Sequence, residues 1–215
     1  MLTKSLAVLL LASAASLGAA TIFDNTSFAS GLDDYATSNN HNGPLAASFT
    51  NGAGSFLFND LKVSLLAVVP SDGGFVTVTL DGDSATSPGA VLDTLGTVQD
   101  SSLTSSNSLV DFSSFGTITL AADTRYWIGI SDSLGTSSIR WQYATGNGGV
   151  GAANEFYYYG GNVFPDTLGG YLMAISGSEA PEPATAGIAF LALGILATAT
   201  KVVSRYKPQP ILGHS

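Results

Sequence analysis

The sequence predicts an all-β protein, a single antiparallel β-sandwich domain that is jelly-roll-like, between an N-terminal signal peptide and a C-terminal transmembrane helix. Three observations predict the sandwich. Short β-branched and aromatic runs recur roughly every ten to fifteen residues through the body of the chain. Turn-forming glycine, proline, asparagine and aspartate separate these runs. No window has a sustained helical period, and a length of 215 residues suits one domain.

The first segment, residues 1–20, is a predicted signal peptide. Lys4 precedes a leucine-rich apolar run, and Gly18 and Ala20 are the small residues that define a cleavage site between Ala20 and Thr21. The alternatives are a buried N-terminal helix and a membrane anchor. The apolar run is short for a membrane span, so the pattern favours export.

The body, residues 21–178, supplies the predicted strands. In the run FVTVTL, three apolar side chains alternate with two threonines, which predicts one buried and one polar face. Trp127 lies in the apolar run RYWIGIS and is expected to be buried. The predicted strands cover residues 61–69, 75–80, 116–120, 125–131, 138–144, 155–160 and 171–176, and the polar stretches 31–43 and 99–108 are predicted loops.

The segment 179–207 combines features of a membrane anchor. Residues 184–203 are long enough at about 1.5 Å per residue to cross a bilayer as a helix. Pro181 and Pro183 suit a helix that begins directly after them. A basic flank follows, which predicts a cytoplasmic tail that includes residues 208–215 and a body outside the membrane. The alternative is a buried core helix. The basic flank consists of Lys201, Arg205 and Lys207.

The order of these features resembles the PEP-CTERM sorting signal of exported proteins in many Gram-negative bacteria. Pro181, Glu182 and Pro183 match its motif, and Ala184 and Thr185 match the usual continuation. The resemblance implies recognition by an exosortase, a membrane-embedded cysteine protease or transpeptidase. It also implies that the helix and the tail are removed while the body is released or transferred outside the cell.

The body itself resembles the choice-of-anchor R domain over roughly residues 22–176. That family of β-rich surface domains occurs upstream of different cell-envelope anchors. The resemblance implies an envelope-associated module of undefined activity, because the family has no catalytic motif to transfer. The matching motifs are Ser48-Phe49-Thr50 with Gly52, Ser87-Pro88-Gly89, and Thr124-Arg125-Tyr126-Trp127.

The charge balance and the residue inventory limit the function. Between residues 21 and 180 there are three basic against fifteen acidic side chains, which disfavours nucleic-acid binding. The chain has no cysteine, so disulfides and thiolate chemistry are excluded. The only histidine of the body, His41, lies in a polar loop, and no Gly-x-Ser-x-Gly elbow is present. A glycosidase needs only two carboxylates, but no pair stands out. We therefore predict a protein without catalytic activity.

The sequence also contains two weaker candidate sites, one for a metal ion and one for a ligand. The stretch DGDSATSPGAVL begins like an EF-hand loop with Asp81 and Asp83, but the later ligand positions fail. We expect both aspartates to be exposed hairpin residues and predict no cofactor, with a structural calcium ion held by carbonyls and scattered aspartates as the alternative. Three consecutive tyrosines, Tyr157, Tyr158 and Tyr159, must divide between the two faces of a strand, and they are the candidate ligand surface.

Together these features predict an exported, exosortase-processed envelope or extracellular-matrix protein. The precursor is expected to be a single-pass inner-membrane protein, and the mature form is expected at the cell surface or outside the cell. The expected partners are an exosortase-type membrane protease and an exopolysaccharide. A secreted carbohydrate-binding module is the alternative, followed by a hydrolase.

Overall fold

The computed structural model describes residues 18–37, 44–113, 115, 118–134, 138–165 and 169–180. Residues 181–207 of the predicted sorting segment and residues 1–17 of the predicted signal peptide lie outside this part of the chain, whereas Glu179 and Ala180 belong to it. Within it, no helix is long and apolar enough to cross a bilayer. The strands are β1 (Ala20–Asp24), β2 (Ala29–Thr37), β3 (Leu45–Thr50), β4 (Phe56–Ala67), β5 (Phe75–Asp83), β6 (Pro88–Gln99), β7 (Ser108–Ser113), β8 (Thr119–Leu120), β9 (Arg125–Ser133), β10 (Ser138–Ala144), β11 (Phe156–Tyr159), β12 (Asn162–Pro165) and β13 (Met173–Glu179).

The strands form two antiparallel sheets. Sheet A has seven strands in the order β1-β13-β4-β10-β2, with β7 and β8 also paired to β4. Sheet B has six strands in the order β12-β11-β3-β9-β5-β6. The chain changes sheet between most consecutive strands, so the two sheets share one core. The predicted all-β, antiparallel architecture is confirmed.

The core lies between the inward faces of the two sheets. Val76, Val78 and Leu80 of β5 are buried, as their alternation with threonine predicts. Burial of such a side chain stabilises the fold by about 1.5–3 kcal/mol. In sheet A, the Trp141 ring stacks on the Tyr171 ring at 4.7 Å between centroids. A hydrophobic centre that draws on both sheets holds them together.

Trp127 is fully buried, as predicted, although it is not part of this central core. It alternates along β9 with Tyr126 and Ile128, which face the core, so it lies on the outer face of sheet B. Part of the outer face of sheet B is therefore covered as well.

The two ends of the folded body lie side by side in sheet A. β1 pairs with β13 so that Ala20 lies opposite Gly177. The side chain of Asn25, just after β1, donates to the carbonyl of Tyr171 at 3.1 Å and accepts from the backbone N–H of Met173 at 2.8 Å. The chain thus enters and leaves the sandwich at neighbouring positions.

Each of the seven predicted runs overlaps a strand, but the predicted loop at 31–43 is wrong in its first half. There β2 forms because its polar side chains find partners across the sheet. The Arg140 guanidinium of β10 donates to Asp33 at 3.0 Å and lies over the Tyr35 ring at 4.2 Å. Asp34 accepts hydrogen bonds from two tyrosines, as described below. The strand is stable here because Asp33, Asp34 and Tyr35 each have a partner.

Candidate functional site

The candidate site is a cleft of about 580 Å³ on the outer face of sheet B. Its floor consists of outward-facing residues of the four adjacent strands β11, β3, β9 and β5. Its rims come from the β5–β6 hairpin and the β11–β12 hairpin. A volume of this size is typical of small-ligand sites, which span about 300–1,000 Å³. Its lining includes Ala46, Thr79, Asp81, Ser87, Val91, Gly129, Ser131, Tyr158 and Val163.

The floor has a glycine at its centre, and polar side chains of β5 lie above it. Gly129 lies between Ala46 of β3 and Thr79 of β5 in the register of the sheet. A Cβ atom at Gly129 would lie 2.5 Å from the Thr79 hydroxyl and 2.8 Å from an Asp81 carboxylate oxygen. Only glycine therefore leaves room for this pair of polar side chains above the strand.

Asp81 is the carboxylate of the cleft. It is only 7% exposed, and its Oδ1 atom has no hydrogen-bond partner among the described residues. Burial raises the pKa of Asp81, and a hydrogen bond from the Thr79 hydroxyl partly opposes this. The prediction that Asp81 is an exposed hairpin residue is therefore wrong. The sequence pattern put it on the polar face of β5 but could not show that hairpins cover that face.

Asp83 has a different role from Asp81. It is exposed, as expected, and its Oδ1 atom accepts a hydrogen bond from the Trp127 indole at 2.8 Å. Its other oxygen lies 4.0 Å from the Arg125 guanidinium. In the part of the chain that the structure describes, no group of three or more histidine and acidic side chains could hold a metal ion. Asp81 and Asp83 thus have separate partners.

A network of hydrogen bonds and an ion pair around Glu155 lies next to the cleft and holds its β11 side in place. Glu155 is 3% exposed, lies 3.4 Å from Arg125 and accepts from the Ser48 hydroxyl at 2.5 Å. The Ser48 hydroxyl in turn accepts from the backbone N–H of Phe156 at 2.8 Å. Arg125 also covers the Phe156 ring at 4.8 Å. These contacts hold the start of β11 against β3 and β9, and so they position the tyrosine that follows.

The three consecutive tyrosines do not form a common platform. Tyr157 is buried in the core, where it stacks on Phe164 at 5.1 Å. Tyr159 packs against the core on the same side. Tyr158 faces outward and lines the cleft. Of the candidate ligand surface, only Tyr158 belongs to the site.

A tyrosine–aspartate cluster, which the sequence did not indicate, lies in sheet A. The hydroxyls of Tyr143 and Tyr171 both donate to the same carboxylate oxygen of Asp34, that of Tyr171 at 2.8 Å. Burial, followed by the nearby Asp34, raises the pKa of Tyr171 above its ordinary value. These groups satisfy one another and anchor β2, so the cluster is structural.

A second acidic group lies at the end of sheet B where β5 begins and β6 and β9 end. Asp100 is fully buried, and its carboxyl group lies beside those of Asp132 and Asp72. Burial, then the neighbouring charges of Asp132 and Asp72, raises the pKa of Asp100 to about 7. The backbone N–H of Asp100 donates to the Gly74 carbonyl at 3.1 Å, which fixes its position.

Of the remaining predicted site residues, some lie in β1 and the others lie outside the described residues. Thr21 lies in β1, opposite Ser176. His41, the Pro-Glu-Pro motif, its Ala-Thr continuation and the basic flank lie outside the described residues.

Comparison with known proteins adds no relationship. No protein-family model matches the chain, and no curated protein is significantly similar to it.

Proposed function

We propose that this chain is an exported, non-catalytic protein of the envelope or extracellular matrix, processed by an exosortase-like membrane protease. One observation carries the proposal: among the described residues, the backbone pairing of the sandwich continues up to the residue before the Pro-Glu-Pro tripeptide. β13 ends at Glu179, and the N–H of Ala180 still donates to the Ser55 carbonyl at 2.9 Å. Removal of the chain from residue 181 onward would therefore leave the described sandwich complete.

The other end of the body supports the same proposal. Cleavage between Ala20 and Thr21 would remove one residue of β1 and a single strand pair, that of Ala20 with Gly177. The buried residues of β1, Ile22 and Phe23, would stay. The mature chain would thus keep the contacts that hold β1 in sheet A.

The test replaces the tripeptide by Pro181→Ala/Glu182→Ala/Pro183→Ala in a host that contains an exosortase. We expect the wild type to lose its helix and tail and to begin at Thr21 on N-terminal sequencing. The triple variant should keep its full C-terminal mass and stay in the membrane fraction, because the apolar segment and its basic flank are unchanged. Glu179→Ala, an exposed neighbour of the motif, is the matched control and should be processed normally. Equal mass and equal membrane retention of wild type and triple variant would overturn the proposal.

The second candidate is a carbohydrate-binding module with a jelly-roll-like arrangement of its sheets. The cleft over Gly129 favours it, because its lining combines hydroxyls, one carboxylate and a tyrosine. A glycoside hydrolase would need two carboxyl groups across one substrate. Of the described residues that line the cleft, Asp81 is the sole carboxylate. The cleft therefore supports binding better than hydrolysis.

A further inference from the structure

We propose that the cleft over Gly129 binds one neutral sugar residue, and that Asp81 accepts a hydrogen bond from a hydroxyl of that sugar. This inference rests on the second candidate function above and names its ligand class and its site. It does not depend on export or processing.

The cleft contains a buried acceptor that no described residue satisfies. Asp81 is more than nine-tenths buried and lines the cleft, yet its Oδ1 atom receives no hydrogen bond from the described residues. A buried acceptor without a donor destabilises the protein, and a ligand that supplies the donor removes this cost. An ionised carboxylate can only accept, so a ligand that satisfies it must bring an O–H or N–H group. The ring of a sugar presents several O–H groups.

The other lining residues match the chemical groups of a sugar. Thr79, Ser87 and Ser131 bring hydroxyls, which donate and accept and therefore match sugar hydroxyls in either role. Val91, Val163 and the Tyr158 ring supply apolar surface for the C–H faces of a pyranose. The lining thus combines hydroxyl groups with apolar surface, as a sugar ring requires.

The charge of the cleft and of the surrounding body disfavours acidic sugars. No basic side chain is among the described residues that line the cleft, and the surrounding body is strongly acidic. An anionic sugar such as a uronate would be repelled both by Asp81 and by the field of the whole body. The charge pattern therefore selects neutral sugars over acidic ones.

The middle of the cleft has a fixed shape. The Thr79 hydroxyl and the Asp81 carboxylate occupy the space above Gly129, and the Glu155 network fixes the Tyr158 side. A flat ring that lies over these two polar side chains would meet groups that are already held in place. Preorganisation of this kind reduces the entropic cost of binding.

The experiment measures binding by calorimetry with the full-length chain, purified in a detergent without a sugar headgroup. The probes are glucose, galactose, mannose and N-acetylglucosamine, the hexasaccharides of the cellulose and starch series, and an alginate oligomer as the acidic probe. We expect a neutral probe to bind with a Kd of about 1 mM or tighter, a range typical of weak single-site contacts. Alginate should not bind.

Asp81→Asn tests the site with little risk to the fold, because it removes a buried charge and keeps the side-chain shape. It should weaken neutral-sugar binding at least tenfold without lowering the melting temperature. Gly129→Ala, which fills the floor, and Tyr158→Ala should also weaken binding. Asp93→Asn, which removes an exposed charge on β6 outside the lining, is the matched control and should bind like the wild type.

Three results would overturn the inference. They are the absence of binding by any neutral probe at about 10 mM, unchanged affinity in Asp81→Asn, and tighter binding of alginate than of neutral sugars. The outcome is separable from the export proposal, because processing at residues 181–183 is read by mass and fractionation. A correctly processed protein without sugar affinity would refute the cleft assignment alone.

Discussion

At the scale of single residues, buried carboxylates govern how this protein responds to pH. The folded state holds a proton on Asp100 up to a pH of about 7, whereas the unfolded chain releases it near the ordinary value of 3.8. Unfolding therefore releases a proton between these pH values, so the free energy of unfolding falls as pH rises through this window. Asp81 has a raised pKa as well and acts in the same direction.

Asp100→Asn should remove most of this pH dependence. The amide stays neutral at all pH values and can donate to the neighbouring carboxylates. We expect the free energy of unfolding to rise by about 1–3 kcal/mol at pH 8 and to change little at pH 4. Urea unfolding at both pH values measures this effect, with Asp93→Asn as the exposed control.

The opposite outcome would have a definite meaning. A variant that is less stable than the wild type at pH 8, together with wild-type melts that change on adding a chelator, would show that the acidic group holds a cation. We predict that melts with and without chelator overlap, because folding of the body is expected to need no metal.

At the scale of secondary-structure elements, the sequence identified strands with a clear β-branched or aromatic run and missed others, among them β2, which depends on its partners. The alternation in β5 predicted its buried face correctly, because apolar alternation reflects burial directly. β2 has no such alternation and forms because Arg140 and two tyrosines pair with its polar residues.

The cleft was missed for the same reason. Its floor depends on Gly129 lying between Ala46 and Thr79, three residues far apart in the chain. The sequence could split the three tyrosines between two faces, but it could not show that Tyr158 alone meets a cleft. Sites formed by register across several strands are not visible in one strand at a time.

Asn25 is the residue that joins β1 to the start of β13. Asn25→Ala would leave a backbone carbonyl at Tyr171 and a backbone N–H at Met173 without partners in a buried place. We expect a loss of about 2–4 kcal/mol in the free energy of unfolding. Chemical denaturation measures it.

Asn162→Ala is the matched control for this prediction, because Asn162 is exposed and makes only a local hydrogen bond to the Gly160 carbonyl. A small effect in both variants would mean that β1 is not a cooperative part of sheet A.

At the scale of the whole molecule, two buried tryptophans report on the two sheets. Trp127 lies on the outer face of sheet B and donates to Asp83, and Trp141 lies in the core of sheet A and donates to the Leu172 carbonyl at 2.9 Å. Native fluorescence should therefore be that of tryptophan shielded from water.

The single variants Trp127→Phe and Trp141→Phe each leave one of these probes. Because the sheets share a core, we expect the fluorescence transition of each variant in urea to coincide with its own far-ultraviolet circular dichroism transition. A fluorescence transition that precedes the loss of strand signal in either variant would instead show that one sheet opens independently.

The neighbouring positions of β1 and β13 decide where a reporter can be attached without being hidden. A fluorescent protein fused before Thr21 would sit beside Glu179, at the end of the body from which the chain continues to residue 181. β4 runs from that end to Ala67, about 35 Å away by strand rise. There the N–H of Ala67 bonds to the Thr104 carbonyl, and the exposed bend at Ser105 follows. An epitope inserted at Ser105 would therefore lie at the opposite end of the body from Thr21 and Glu179. If the body is anchored through its carboxyl end, as proposed, antibodies on intact cells should reach an epitope at Ser105 better than a label at Thr21.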